Sequence, residues 1–76
     1  MRVVDNKFLT KRESDILLLI LHGKNKREIA DDLCISVSTV KTITENIYRK
    51  CNVHNKVELV VFLIKNNLVV LEDNSF

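Results

Sequence analysis

The sequence predicts an all-α domain of four helices, and three observations carry that prediction. Proline is absent and glycine occurs once in 76 residues, which removes the residues that most hairpin turns require. Thr10-Lys11-Arg12-Glu13 forms a capping box: the Thr10 hydroxyl can accept from the Glu13 amide, and the Glu13 carboxylate can reach back to the Thr10 amide. Ile29, Ala30 and Leu33, then Val40, Ile43, Ile47 and Cys51, recur at the three- and four-residue spacing of amphipathic helices. A hydrophobic fraction of 46% argues against disorder. The length suits one small domain, so residues 1–76 read as a single unit with a leader over 1–8 and a C-terminal tail over 67–76.

The elements follow in order. In the leader, Val3, Val4 and Phe8 are the apolar anchors. The first helix is expected from Lys11 to His22, with Gly23 as its left-handed stop. Ile16 to Leu21 is apolar enough for a buried strand, and the capping box before it and the glycine after it decide for helix. Phe8 is expected to pack back on the first turn. Asn25 can cap a second helix ending near Leu33, and Ser36 a third running to Cys51. Asn55 can cap a fourth, from Lys56 to Asn66. That last helix is apolar almost all round. Val57, Val60, Val61 and Ile64 are expected to face the core. Leu59, Phe62 and Leu63 would then be left outside, with Leu68 to Leu71 extending the surplus. Such a patch marks an interface, here a homodimer formed through the fourth helix; the alternatives are a tail folded back over Leu59 and Phe62 within one chain, or a further domain seated on the patch.

Lys24 to Lys41 reads as a short helix, a tight turn and the capped start of another helix. Ala30 is small enough to let the second helix cross closely. This is a helix-turn-helix, whose second helix fits the major groove of DNA. The polar stripe of that helix is Ser38, Lys41, Thr42, Glu45 and Arg49. The net charge of +2 is modest, but its distribution is uneven. Between Ser36 and Lys56 stand Lys41, Arg49, Lys50 and Lys56 against Glu45 alone, while Asp31, Asp32, Glu72 and Asp73 lie elsewhere. The domain therefore has a basic side.

Leu9 to Glu13, Ile16-Leu17, Gly23, Glu28-Ile29-Ala30, Leu33, Ile35-Ser36, Thr39-Val40-Lys41, Asn46-Ile47, Lys50 and Val53 together resemble the LuxR/FixJ-type, or GerE-like, DNA-binding domain. The resemblance spans about Leu9 to Ile64. It implies a four-helix domain of a bacterial transcription regulator whose third helix reads DNA and whose fourth often dimerises. It implies base contacts from Lys41, Thr42 and Glu45, and phosphate contacts from Thr39, Lys50 and the start of the second helix. Ile43 stands where the family often has histidine, Cys51 for leucine, Asn52 for glycine and Lys56 for arginine. Asparagine can adopt the left-handed conformation glycine fills. Glu45 stands where many members carry a basic or neutral residue.

The residues themselves support these roles. Lys41 can donate to guanine O6 or N7, Thr42 can bond a base or touch a thymine methyl, and Glu45 can accept from cytosine N4. Glu45 can equally act as an exposed acid that weakens non-specific binding. Thr39, Arg49 and Lys50 suit phosphates, as does Ser38 on the same stripe. Asn25 and Lys26 sit where the second helix can meet a phosphate. The expected partner is double-stranded DNA with an inverted repeat, bound in the cytoplasm at the bacterial nucleoid, with RNA polymerase as a further partner. The rival reading is a protein-interaction module of the same fold that binds another regulator or RNA polymerase without DNA.

Other classes are disfavoured. Cys34 and Cys51 are too few for a disulfide scaffold and read as reduced core thiols. Cys51-Asn52-Val53-His54 supplies one pair of ligand types where zinc takes four ligands, so no metal or other cofactor is expected. Neither histidine has a nucleophile partner, and no enzyme site or small-molecule pocket is expected. No stretch is long enough to cross a bilayer, and no signal peptide is visible.

Overall fold

A computed structural model describes residues 2–70. It contains α1 (Lys11–Leu21), α2 (Lys26–Leu33), α3 (Val37–Cys51) and α4 (Lys56–Lys65), flanked by the short strands β1 (Arg2–Val3) and β2 (Val69–Val70). Leu71 and the tail acids Glu72 and Asp73 lie outside the described residues.

Every helix begins on a side-chain cap. In the capping box of α1 the Glu13 amide donates to Thr10 Oγ1 at 3.1 Å and the Thr10 amide to Glu13 Oε1 at 2.8 Å. A second box opens α2, with Asn25 and Glu28 exchanging two bonds of 2.9 Å. Ser36 caps α3 through the Thr39 amide, and Asn55 caps α4 through the Glu58 amide. Each cap contributes about 1 kcal/mol by satisfying amides that have no partner inside the helix.

The four helices also end alike. In each, one residue takes a left-handed backbone: Gly23, Cys34, Asn52 and Asn67. Its amide donates to the carbonyl three residues back, and the next amide to the carbonyl five back: Gly23 to Ile20 and Lys24 to Leu19, Cys34 to Asp31 and Ile35 to Ala30, Asn52 to Arg49 and Val53 to Tyr48, Asn67 to Ile64 and Leu68 to Leu63. This is the Schellman stop, made four times in a chain with one glycine. Helices α1 and α4 end one residue earlier than their spacing predicts, because His22 and Asn66 already belong to the stop.

The core gathers Leu9, Ile16, Leu17, Ile29, Ala30, Val40, Ile47, Cys51, Leu59, Leu63 and Val69. Ala30 is buried on α2, as a close helix crossing requires. The leader is more than a leader: β1 pairs antiparallel with β2, Arg2 opposite Val70 and Val3 opposite Val69. The Val4 amide extends the ladder to the Leu68 carbonyl at 2.8 Å. This ribbon joins the chain before α1 to the chain after α4.

Three expectations are corrected. The face of α4 is reversed: Leu59 and Leu63 are fully buried, whereas Val57, Val61 and Ile64 are exposed by 74%, 44% and 45%. Leu59 and Leu63 therefore cannot form a dimer interface. Phe62 is half-buried and packs on Phe8, their ring centroids 6.0 Å apart, so the Phe8 ring packs on α4. Cys34 is exposed, because the left-handed stop of α2 turns it outward, away from the core. Cys51 is buried, and burial followed by the nearby Glu13 charge pushes its thiol pKa up, which keeps it protonated and unreactive.

Candidate nucleic-acid interface

Helix α3 buries Val40, Ile47 and Cys51, with Ile43 half-buried beside them. A helix turns roughly 100° per residue, so this buried stripe leaves Ser38, Thr42, Glu45 and Arg49 on the opposite side. All four are exposed. Lys41 lies on one flank of that face and Thr39 on the other, both exposed. The predicted stripe is therefore a single solvent-facing surface.

The turn of the helix-turn-helix brings the start of α2 to the Lys41 flank. Lys26, Lys41, Thr44, Glu45 and Tyr48 line one groove of about 360 Å³. Asn25 and Lys26 continue into an adjoining groove of about 210 Å³ with Ile20, Lys24, Ile29, Thr44 and Tyr48. Residues 26, 41 and 45, assigned separately from sequence, thus meet around one depression.

Local bonds limit some of the assigned groups. The Asn25 side-chain oxygen is committed to the cap, leaving its amine as donor. Ser36 Oγ lies 2.8 Å from Thr39 Oγ1 and 3.2 Å from Ser38 Oγ, a hydroxyl cluster at the first turn of α3. Arg49 donates to Asn46 Oδ1 at 2.9 Å. Lys24 pairs with Asp32 at 2.7 Å, and that hydrogen bond raises its pKa. The α2 acid is thereby matched by a cation of the preceding turn.

Lys50 departs furthest from its assigned role. Its ammonium lies 2.7 Å from Glu13 Oε1, and the Glu13 side chain is only 8% exposed. Its first duty is to neutralise that carboxylate. Burial raises the Glu13 pKa, but the Lys50 hydrogen bond, the Thr10 amide and the Lys50 charge outweigh it, and the net shift is downward. Lys50 sits on the Thr39 flank, and 38% of its side chain meets water.

Sequence reasoning passed over Tyr48 and Thr44. Tyr48 is half-buried, and burial alone raises its pKa, so it remains a neutral phenol. The signal was available: Tyr48 lies seven residues after Lys41, within about 20° of it around the helix. On α4 the outward Val57 and Val61 line a shallow groove with Asn52, Val53, His54, Glu58, Phe62 and Lys65.

Residues 7–63 match the family described as bacterial regulatory proteins, luxR family. The chain is similar to the transcriptional regulatory protein LiaR of Bacillus subtilis, with 44% identity over 61 residues, covering 80% of this chain and 29% of LiaR. It is 42% identical over 60 residues to YxjL of the same organism, an uncharacterized transcriptional regulatory protein, covering 79% of this chain and 28% of that protein. It is 40% identical over 63 residues to the response regulator protein VraR of Staphylococcus aureus, covering 83% of this chain and 30% of VraR. The chain thus spans less than a third of the length of these relatives.

Proposed function

The chain belongs to the luxR family of bacterial regulatory proteins, and from that premise we propose that it binds a specific double-stranded DNA site by laying α3 in the major groove and so regulates transcription. The observation that carries the reading is the exposed face of α3. Ser38, Thr42, Glu45 and Arg49 point one way, Lys41 and Lys26 converge on its flank, and the apolar stripe opposite is buried. In this reading Lys41, Thr42 and Glu45 meet base edges. Asn25, Lys26, Ser38, Thr39 and Arg49 meet phosphates. Lys50 adds the part of its ammonium that Glu13 leaves open. Among the described residues no helix is long and apolar enough to cross a membrane, and the proposed place of action is the cytoplasmic nucleoid.

Two copies pair through the outward face of α4, formed by Val57, Val61 and Ile64 rather than by Leu59 and Leu63. Three apolar side chains in water on one helix face are better covered. Two-fold pairing there sets two recognition helices on half-sites of an inverted repeat. The same patch favours the second reading, a module of this fold that binds another protein without DNA.

A gel shift of the chain against genomic fragments across rising salt tests the proposal. Binding that narrows to discrete fragments as salt rises is the expected result, since phosphate contacts weaken with salt while base readout persists. Absence of binding even at low salt favours the protein-interaction reading.

A further inference from the structure

We propose that the groove between α2 and α3, walled by Lys26, Lys41 and Tyr48 over Thr44, seats a phosphate of the DNA strand beside the major groove, with Tyr48 and Thr44 as positioning residues. The inference rests on the DNA-binding reading above and adds to it two uncharged groups on α3. Three observations support it.

The first is geometry. Lys41, Thr44 and Tyr48 follow one another at three and four residues on α3, and all three line the groove. Thr44 and Tyr48 also line the adjoining groove toward Lys24 and Asn25. This depression is continuous with the exposed face of α3 but lies to its side, toward α2. When α3 lies in a major groove, a group on that flank meets the sugar-phosphate wall.

The second is charge. Lys26 and Lys41 bring two cations to the rim, and neither has an ion-pair partner among the described residues. Among the described residues Glu45 is the one acid lining the same groove. It stands roughly 40° further around α3 from α2 than Lys41 does, on the base-facing side. An anion is therefore drawn to the α2 side, toward Lys26 and Tyr48, with Lys41 on the edge of the seat between it and the base-facing side.

The third is hydrogen-bonding capacity. Thr44 Oγ1 is buried and has no hydrogen-bond partner among the described residues, an unfavourable state for a hydroxyl. Tyr48 is kept a neutral phenol by burial, so it can donate to an anion where a phenolate would repel it. A phosphate oxygen accepts well from such donors, and bonds to charged acceptors are the stronger class.

Fluorescence anisotropy with a labelled random-sequence duplex tests this, because a phosphate seat acts on every sequence. Tyr48→Phe should bind about tenfold more weakly with an unchanged salt slope, since a neutral donor releases no counterion. Lys26→Ala should weaken binding and lower the slope by about one. Thr44→Val keeps the side-chain shape; it should melt no lower than the wild type yet bind the duplex more weakly. Wild-type binding that both Tyr48→Phe and Thr44→Val retain within twofold overturns this inference alone. A wild type that does not bind the duplex overturns the DNA reading beneath it.

Discussion

Lys50 Nζ lies 2.7 Å from Glu13 Oε1, so the last turn of α3 is tied to the first turn of α1. The same carboxylate oxygen accepts from the Thr10 amide at 2.8 Å. One carboxylate oxygen therefore closes the α1 capping box and anchors the C-terminal end of α3. That ion pair holds the exposed face of α3 in place against α1.

Removing this pair should destabilise the domain in a pH-dependent way. The folded Glu13 pKa lies below its ordinary value of 4.5. The stabilisation is therefore complete above that value and disappears as pH falls through the lower folded one. In urea unfolding, Glu13→Gln should be about 1–2 kcal/mol less stable than the wild type at neutral pH, and the gap should close in acid. A gap that persists at low pH would show that packing, and not charge, is responsible. Lys50→Ala should also lose stability, so its effect on DNA affinity mixes folding with contact.

On the proposed reading, Lys41 and Arg49 separate base reading from phosphate binding. Lys41→Ala should cost about 1–3 kcal/mol on a specific site and relax preference at one base pair. Arg49→Ala should weaken specific and random DNA alike and flatten the salt dependence by about one ion. Competition binding on both kinds of DNA measures this. Equal losses on the two for Lys41→Ala would remove it from the base-reading set.

On the proposed reading Glu45 faces the duplex among cations, where phosphates repel it unless a cytosine amino group meets it. Glu45→Gln should raise affinity for random DNA and lower the ratio of specific to random binding. Titration of both variants at one salt concentration checks it. Unchanged random-DNA affinity would mean the carboxylate lies off the duplex.

The two faces of α4 make opposite predictions. Val61→Glu alters the exposed side and should leave the fold intact while shifting sedimentation toward monomer. Leu63→Glu places a charge at a fully buried position and should unfold the chain. Should Val61→Glu and the wild type sediment as the same species at high concentration, pairing through this face is wrong.

Thr10, Asn25, Ser36 and Asn55 placed the start of each helix in the sequence, because a short polar side chain before a helical run has one common use. Helix α4 was harder to orient, since an almost wholly apolar helix gives periodicity no contrast. Glu58 and Lys65 held the answer: they lie three before and four after Val61, which puts Val61 on the polar side. The ribbon of β1 and β2 left no pattern, because two-residue strands have no period. The Glu13–Lys50 pair joins positions 37 residues apart, and no local rule reaches that far. The left-handed Cys34 is the least legible position, as cysteine has no preference for that conformation.

The most direct test of the account is to follow backbone amide resonances of the chain as duplex DNA is added. The largest shifts are expected at Asn25, Lys26 and from Ser38 to Arg49, with Val57, Val61 and Ile64 little changed by the DNA itself. Shifts confined to α4, or no shifts from Ser38 to Arg49 at saturating DNA, would contradict it.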